Sequence, residues 1–293
     1  MSRIQDILAK AEREGMTRRT QTEPPITAAP PATVIAPIHG SSALNPATYA
    51  APAPGAPKQA RPATVVARHT ETAPPDAAER RTARATLHPA LVAAIAPHSV
   101  VAERYRGIRG RITTAEEAGP LRSIVVTSPG PRDGKSITAA NLALTMAQEF
   151  QRNVVLVDGD LRGSSVHRLF GLDATPGLAD VLAGDKSLEQ ALVYLPEYRL
   201  TILPAGQSPQ FPTEALGSSA MRRAIDTLRA RFDRILIDLP PVMPLADAAT
   251  VAPLADGVVI VVRAGVTQRP ALEDALGAFD EDKVLGVVLN DAN

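Results

Sequence analysis

The sequence predicts an α/β fold: a mostly parallel, doubly wound sheet with helices on both faces, preceded by a disordered Pro/Ala-rich segment. Three observations point there. Strand-length apolar runs near 123–127, 153–158, 200–203, 234–239, 257–262 and 284–289 alternate with helical stretches near 136–150, 213–231 and 268–279. That alternation is the pattern of parallel strands covered on both sides. Several of the runs also close on chemically distinctive residues at their carboxyl ends, where ligands bind in such sheets. Finally, 14 of the 27 prolines fall between Pro24 and Pro97, ahead of the first strand.

Taken in order, residues 1–16 place Ile4, Ile7, Leu8 and Ala11 at helical spacing with charged residues between them, behind a Ser2 able to cap. A helix this short is marginal alone, so it either binds something or frays. Residues 17–86, rich in Ala, Pro and Thr, bury too little apolar surface to offset their ordering entropy and are expected to form a disordered tether. Residues 87–293 are long enough for one sizeable core.

Within that core the first strand, Ser123 to Thr127, runs into Ser128-Pro129-Gly130-Pro131-Arg132-Asp133-Gly134-Lys135-Ser136 and then into a helix. This is strand, phosphate-binding loop (P-loop), helix. Backbone N–H groups of such a loop converge on phosphate, assisted by the positive end of the following helix. Lys135 is placed to reach terminal phosphates and Ser136 to hold Mg²⁺. The usual glycine five positions before Gly134 is Pro129 here, so the loop departs from the standard consensus. The next strand, Val154 to Val157, closes on Asp158 and Asp160, which alternation directs into one cleft. Two neighbouring acids suit one metal-supporting group and one proton acceptor; a solvated Asp-Gly-Asp turn is the competing reading. A third strand, Ile235 to Ile237, closes on Asp238, a candidate metal-supporting carboxylate, before Pro240-Pro241 ends regular structure. Together the three segments describe an ATP and Mg²⁺ site.

From about Leu87 to Asn290 the chain resembles the cytoplasmic catalytic domain of bacterial tyrosine kinases (BY-kinases) of capsule and exopolysaccharide loci, within the deviant Walker A P-loop ATPases. The resemblance rests on Ser-Pro-x-x-x-Asp-Gly-Lys-Ser, on Val157 to Arg162 (Val-Asp-x-Asp-x-Arg) and on Ile237 to Pro241 (Ile-Asp-x-Pro-Pro). Pro176 to Gly184, Leu203 to Gly206 and the Glu-x-x-Arg-x-x-Arg spacing of Glu103, Arg106 and Arg109 match as well. The position five before Lys135 is Gly130, where partition-type relatives carry a signature lysine, and this favours the kinase branch.

The resemblance implies catalytic roles for Lys135, Asp158, Asp160 and Asp238, with Asp160 as the base for a tyrosine hydroxyl. It implies ATP contacts from Gly130, Asp133, Gly134, Lys135, Ser136, Ile137 and Asn290, the last recognising adenine through a carboxamide that donates and accepts. Mg²⁺ falls to Ser136, Asp158 and Asp238. Glu103, Arg106 and Arg109 become a ring-forming homo-oligomer contact, and the expected activator is a membrane-embedded polysaccharide co-polymerase. Kinases of this type typically finish in a tyrosine-rich tail. This chain ends Asp291-Ala292-Asn293, which leaves Tyr49, Tyr105, Tyr194 and Tyr198, with Tyr49 the candidate acceptor in the flexible region.

Composition bounds the rest. No cysteine argues for an oxidising compartment, no run approaches the ~20 apolar residues of a membrane span, and no leader opens the chain, so a cytoplasmic enzyme is expected. Few aromatics and no Trp argue against a base-stacking nucleic-acid surface. Residues 1–120 hold 15 Lys+Arg against 10 Asp+Glu, and the remainder 16 against 21; a basic front half could approach anionic lipid or an acidic partner, although a solvated charge pattern is the more frequent explanation. The expected function is an ATP-dependent tyrosine autokinase controlling exopolysaccharide polymerisation and export. A switch ATPase that phosphorylates nothing and a nucleotide-binding adaptor of the co-polymerase are the alternatives.

Overall fold

The structure, a computed structural model, describes residues 35–37, 81–149 and 152–290. The helix expected over 1–16, Tyr49 and all but two short pieces of the expected tether lie outside these residues. The described strands are β1 (Ile35–Pro37), β2 (Arg81–Thr82), β3 (Ser123–Thr127), β4 (Val154–Asp158), β5 (Val193–Leu195), β6 (Leu200–Leu203), β7 (Arg234–Asp238), β8 (Gly257–Arg263) and β9 (Val284–Asn290). The α-helices are α1 (Val92–Ile95), α2 (Val100–Ala115), α3 (Lys135–Ala147), α4 (Val166–Phe170), α5 (Leu178–Ala183), α6 (Leu188–Ala191), α7 (Pro212–Leu216), α8 (Ser219–Arg229), α9 (Asp247–Val251) and α10 (Arg269–Gly277).

The strands form one sheet in the order β1-β9-β8-β3-β7-β4-β6-β5-β2, parallel except for the β1/β9 and β5/β6 pairs. All six expected strands are present. The sheet is wider than expected, because β5 returns antiparallel beside β6 and two pieces of the supposed tether, β1 and β2, close its edges. Runs of three and two residues carry no readable period, so the sequence does not announce them.

Every residue of β3, β4, β6 and β7 is buried, as expected of strands covered on both faces. Alternate side chains feed two cores. Ile124, Val126, Leu156 and Leu236 pack under α1–α4, whereas Val125, Val155, Val157 and Ile237 pack under the layer of α5–α10. The single helix expected over 213–231 is two helices. Gly217 ends α7, and the Ser218 hydroxyl caps α8 by accepting from the Met221 N–H at 3.3 Å. α8 then buries Met221, Ala224, Ile225 and Leu228, the i, i+3, i+4, i+7 face of an amphipathic helix.

Candidate nucleotide and phosphoryl-transfer site

The site lies at the carboxyl ends of the three central strands. β3 delivers the phosphate loop, and β7 beside it and β4 beyond β7 deliver acids. Asp158 and Asp238 are register partners at the last rung of the β4/β7 ladder, which sets their carboxylates side by side. Lys135 opens α3 and points back among the acids: its Nζ lies 2.9 Å from Asp160, 3.4 Å from Asp238 and 3.1 Å from the Ser136 hydroxyl. The structure therefore brings Lys135, Ser136, Asp158, Asp160 and Asp238 together.

These groups are buried charges, and their protonation reflects it. Burial pushes Asp158 up to about 7, the Asp238 charge adds to this, and the Val166 N–H and Lys135 pull the other way. Asp238, fully buried, is likewise raised by burial, with Lys135 and Ser136 opposing. For Lys135 burial alone would lower the value, but the charges of Asp238, Asp160 and Asp158 together outweigh it and leave the ammonium more firmly protonated than usual. Asp158 is fixed by backbone amides: Oδ1 accepts from the Asp160 N–H at 3.2 Å, and Oδ2 from those of Ser165 and Val166 at 3.1 and 3.0 Å. Asp160 closes its own turn, its Oδ1 accepting from the Gly163 N–H at 2.8 Å while Oδ2 faces the lysine.

The loop is held from within. The Asp133 carboxylate accepts from the Gly130 N–H at 3.0 Å and from the Thr267 hydroxyl at 2.9 Å, so both its oxygens brace the loop. Met243 and Val242 donate backbone N–H groups to Pro129 and Ser128, tying the segment after Asp238 to the same loop. Gly134 takes φ 96°, in the left-handed region, and a Cβ there would stand 2.1 Å from the Asn290 Nδ2. Asn290 closes the end of β9 onto the loop, donating from Nδ2 to the Asp133 carbonyl at 3.0 Å. Its carboxamide thus meets loop backbone at the place where adenine recognition was expected. Ile137 follows in the first turn of α3, partly buried.

Glu103, Arg106 and Arg109 lie on α2, away from this cluster. Within the chain each of the three heads has a partner. Arg106 pairs with Glu103 and donates to the Pro97 carbonyl, while Arg109 donates to the Thr145 carbonyl at 2.8 Å and pairs with Glu149 at 3.1 Å. Spacing along one helix foretold their proximity; the partners on α3 and its following turn carry no sequence signal.

A strand, a Gly-Lys-Ser loop and a helix, with acids closing the two adjacent parallel strands, define the chain as a P-loop α/β protein. No protein-family model matches it. The chain is 37% identical over 202 residues to the tyrosine-protein kinase YwqD of Bacillus subtilis, covering 68% of this chain and 85% of that protein. It is 31% identical over 196 residues to the putative tyrosine-protein kinase CapB of Staphylococcus aureus, covering 66% and 86%. Among solved structures, the chimerical protein CapA2B2 superposes with a TM-score of 0.66 at 31% identity, over 70% of this chain and 92% of that one. The kinase domain of the Escherichia coli tyrosine kinase ETK also gives 0.66, at 25% identity over 69% and 79%. The chain belongs to the bacterial tyrosine-protein kinases. It spans about a quarter (26%) of the length of a longer relative, the tyrosine-protein kinase ptk of Acinetobacter johnsonii.

Proposed function

We propose that this site binds ATP with Mg²⁺ and transfers the terminal phosphoryl group to a tyrosine hydroxyl, in an enzyme that controls exopolysaccharide or capsule polymerisation and export. The observation that carries the reading is the placement of Lys135 within 2.9 Å of Asp160 and 3.4 Å of Asp238 at the mouth of the phosphate loop. The oxygen-only set of Ser136, Asp158 and Asp238 suits a hard divalent cation. One or two carboxylates together with substrate phosphates are the usual way a protein holds such an ion. When bound, Mg²⁺ neutralises charge on the phosphoryl oxygens.

The protein's own contributions follow from the geometry. Lys135 supplies positive charge to the terminal phosphates in a water-poor pocket, where it counts for more than in solvent. Asp160 takes the proton of the tyrosine hydroxyl as the oxygen attacks the γ-phosphorus, and the bond to the β-phosphate oxygen breaks with ADP as leaving group. The Gly163 N–H, held on Oδ1, leaves Asp160 Oδ2 to accept that proton once Lys135 turns to phosphate.

None of the described tyrosines stands at the site: Tyr105 is buried in α2, Tyr194 lies in β5, and Tyr198 packs against the core beneath α1–α4. Tyr49 is therefore the acceptor we favour, presented to a second copy in a ring-like homo-oligomer through Glu103, Arg106 and Arg109. The same observation favours the second reading, a switch ATPase without tyrosine transfer. A membrane-embedded polysaccharide co-polymerase is the proposed activator, supported by 34% identity to the succinoglycan biosynthesis transport protein ExoP of Rhizobium meliloti. No described helix is long and apolar enough to cross a membrane; the proposal places the domain on the cytoplasmic side, meeting the membrane through that partner.

Incubation with γ-labelled ATP and mapping of phosphotyrosine tests the proposal. Asp160→Asn should lose phosphotyrosine formation by about a hundredfold while binding ATP and Mg²⁺ with nearly unchanged affinity. Transfer at the wild-type rate would remove Asp160 as base, and absence of phosphotyrosine from both proteins would leave the switch reading.

A further inference from the structure

Beside the site lies a further buried acid that the transfer chemistry does not use. Asp247, at the start of α9, has a fully buried side chain. Its Oδ2 accepts from Arg162 Nε at 2.9 Å, its Oδ1 faces Arg162 Nη2 at 3.5 Å, and the Thr213 hydroxyl donates to Oδ1. The same guanidinium donates to the Thr213 oxygen at 2.8 Å. A buried carboxylate without a counter-charge is costly, and here Arg162 and Thr213 are the groups that offset it.

Arg162 stands two residues after Asp160, in the turn that Asp160 closes through the Gly163 N–H. Asp247 follows the segment whose Val242 and Met243 N–H groups bond to Ser128 and Pro129 of the phosphate loop. Thr213 comes from α7. One planar fork thus joins the Asp160 turn, the phosphate-loop side and α7, with the directional fixity of an Arg–carboxylate pair.

We propose that Arg162, Asp247 and Thr213 form a latch of positioning residues that holds Asp160 in place during phosphoryl transfer. The inference rests on the assignment of Asp160 as base. At rest Asp160 is also held by Lys135. When Lys135 turns to a bound phosphate that restraint is lost, and the latch then fixes the turn carrying the carboxylate. The latch accordingly acts on transfer to tyrosine and not on nucleotide capture.

The test is a double-mutant cycle on the full chain, with initial rates of phosphotyrosine formation at saturating ATP and nucleotide affinity measured separately. Arg162→Gln should lower the transfer rate by about tenfold or more, in keeping with the cost of misplacing a reacting group by about 1 Å, and leave the nucleotide Kd within about threefold. Asp160→Asn/Arg162→Gln should be no slower than Asp160→Asn alone, because the latch acts only through that carboxylate. Arg162→Lys, which keeps the charge but not the fork, should fall between wild type and Arg162→Gln. Should Arg162→Gln fail to fold, Thr213→Val takes its place in the same cycle, with a smaller loss that Asp160→Asn again masks. An unchanged rate, or losses that multiply in the double mutant, overturns the latch while leaving Asp160 as base. A wild-type rate in Asp160→Asn overturns the base assignment itself.

Discussion

Asp158→Asn should destabilise the protein at low pH and stabilise it at high pH. The Asp158 carboxyl is raised from 3.8 to about 7, by burial first and the Asp238 charge second. The folded chain therefore keeps a proton that the unfolded chain has released. Stability from this group is fully present below about pH 4 and is lost as pH rises through about 7. A shift of about three units at 1.36 kcal/mol each amounts to about 4 kcal/mol over that window. Asparagine does not titrate and escapes this loss. Its carbonyl oxygen can keep the Ser165 and Val166 N–H groups, but its amide then faces the Asp160 N–H now bonded to Oδ1, a mismatch worth about 1–3 kcal/mol. The variant is therefore expected to be less stable than wild type by about 1–3 kcal/mol below about pH 4 and more stable by a similar amount near pH 8, the curves crossing between. Urea unfolding followed by circular dichroism at half-unit steps measures both curves. A difference that stays constant from about pH 4.5 to 8, within about 0.5 kcal/mol, refutes the buried, protonated Asp158 on which the calculation rests.

Three further outcomes are expected. Lys135→Met should abolish nucleotide-dependent turnover with the far-ultraviolet spectrum retained, since it removes the ammonium at the mouth of the loop; normal turnover in the folded variant would overturn the site. Gly134→Ala forces a side chain onto φ 96° and against Asn290, and should cost about 1–2 kcal/mol in urea unfolding from the backbone alone. Adding Asn290→Ala relieves only the contact, so full recovery in the double mutant would show that backbone strain is not the cause. Reversing charge at Arg106 and Arg109 should turn an oligomer into monomers by light scattering with ATP and Mg²⁺ present, and equal masses would remove α2 from the assembly; because Arg109 also holds Glu149 and the Thr145 carbonyl, a fall in melting temperature is expected alongside.

What the sequence disclosed was whatever is local. The acids closing β4 and β7 and the Gly-Lys-Ser opening α3 lie at strand ends and a helix start, features that period and turn chemistry mark directly. Their convergence followed from the rule that parallel strands present one edge. The brace and the latch were not legible: Thr267 meets Asp133 across 134 positions, and Arg162 meets Asp247 across 85, with nothing periodic to link them. Asn290 does close β9, and the partner its carboxamide finds there is the loop itself. The tether was read from composition, which averages over long stretches and misses three residues that pair with β9 or two that pair with β5.

The lysine bridging Asp160 and Asp238 makes ligand arrival an exchange instead of an addition. A tethered ammonium is a counter-ion that never diffuses away, so dissolved sodium, potassium or magnesium meets acids already neutralised in part. Only a polyphosphate, offering the ammonium something better, frees the carboxylates for another cation. On the proposed nucleotide reading, responsiveness would then track nucleotide supply and not metal supply. Titration with Mn²⁺ followed by electron paramagnetic resonance, with and without nucleotide, would expose the difference, and tight binding by the nucleotide-free protein would contradict it.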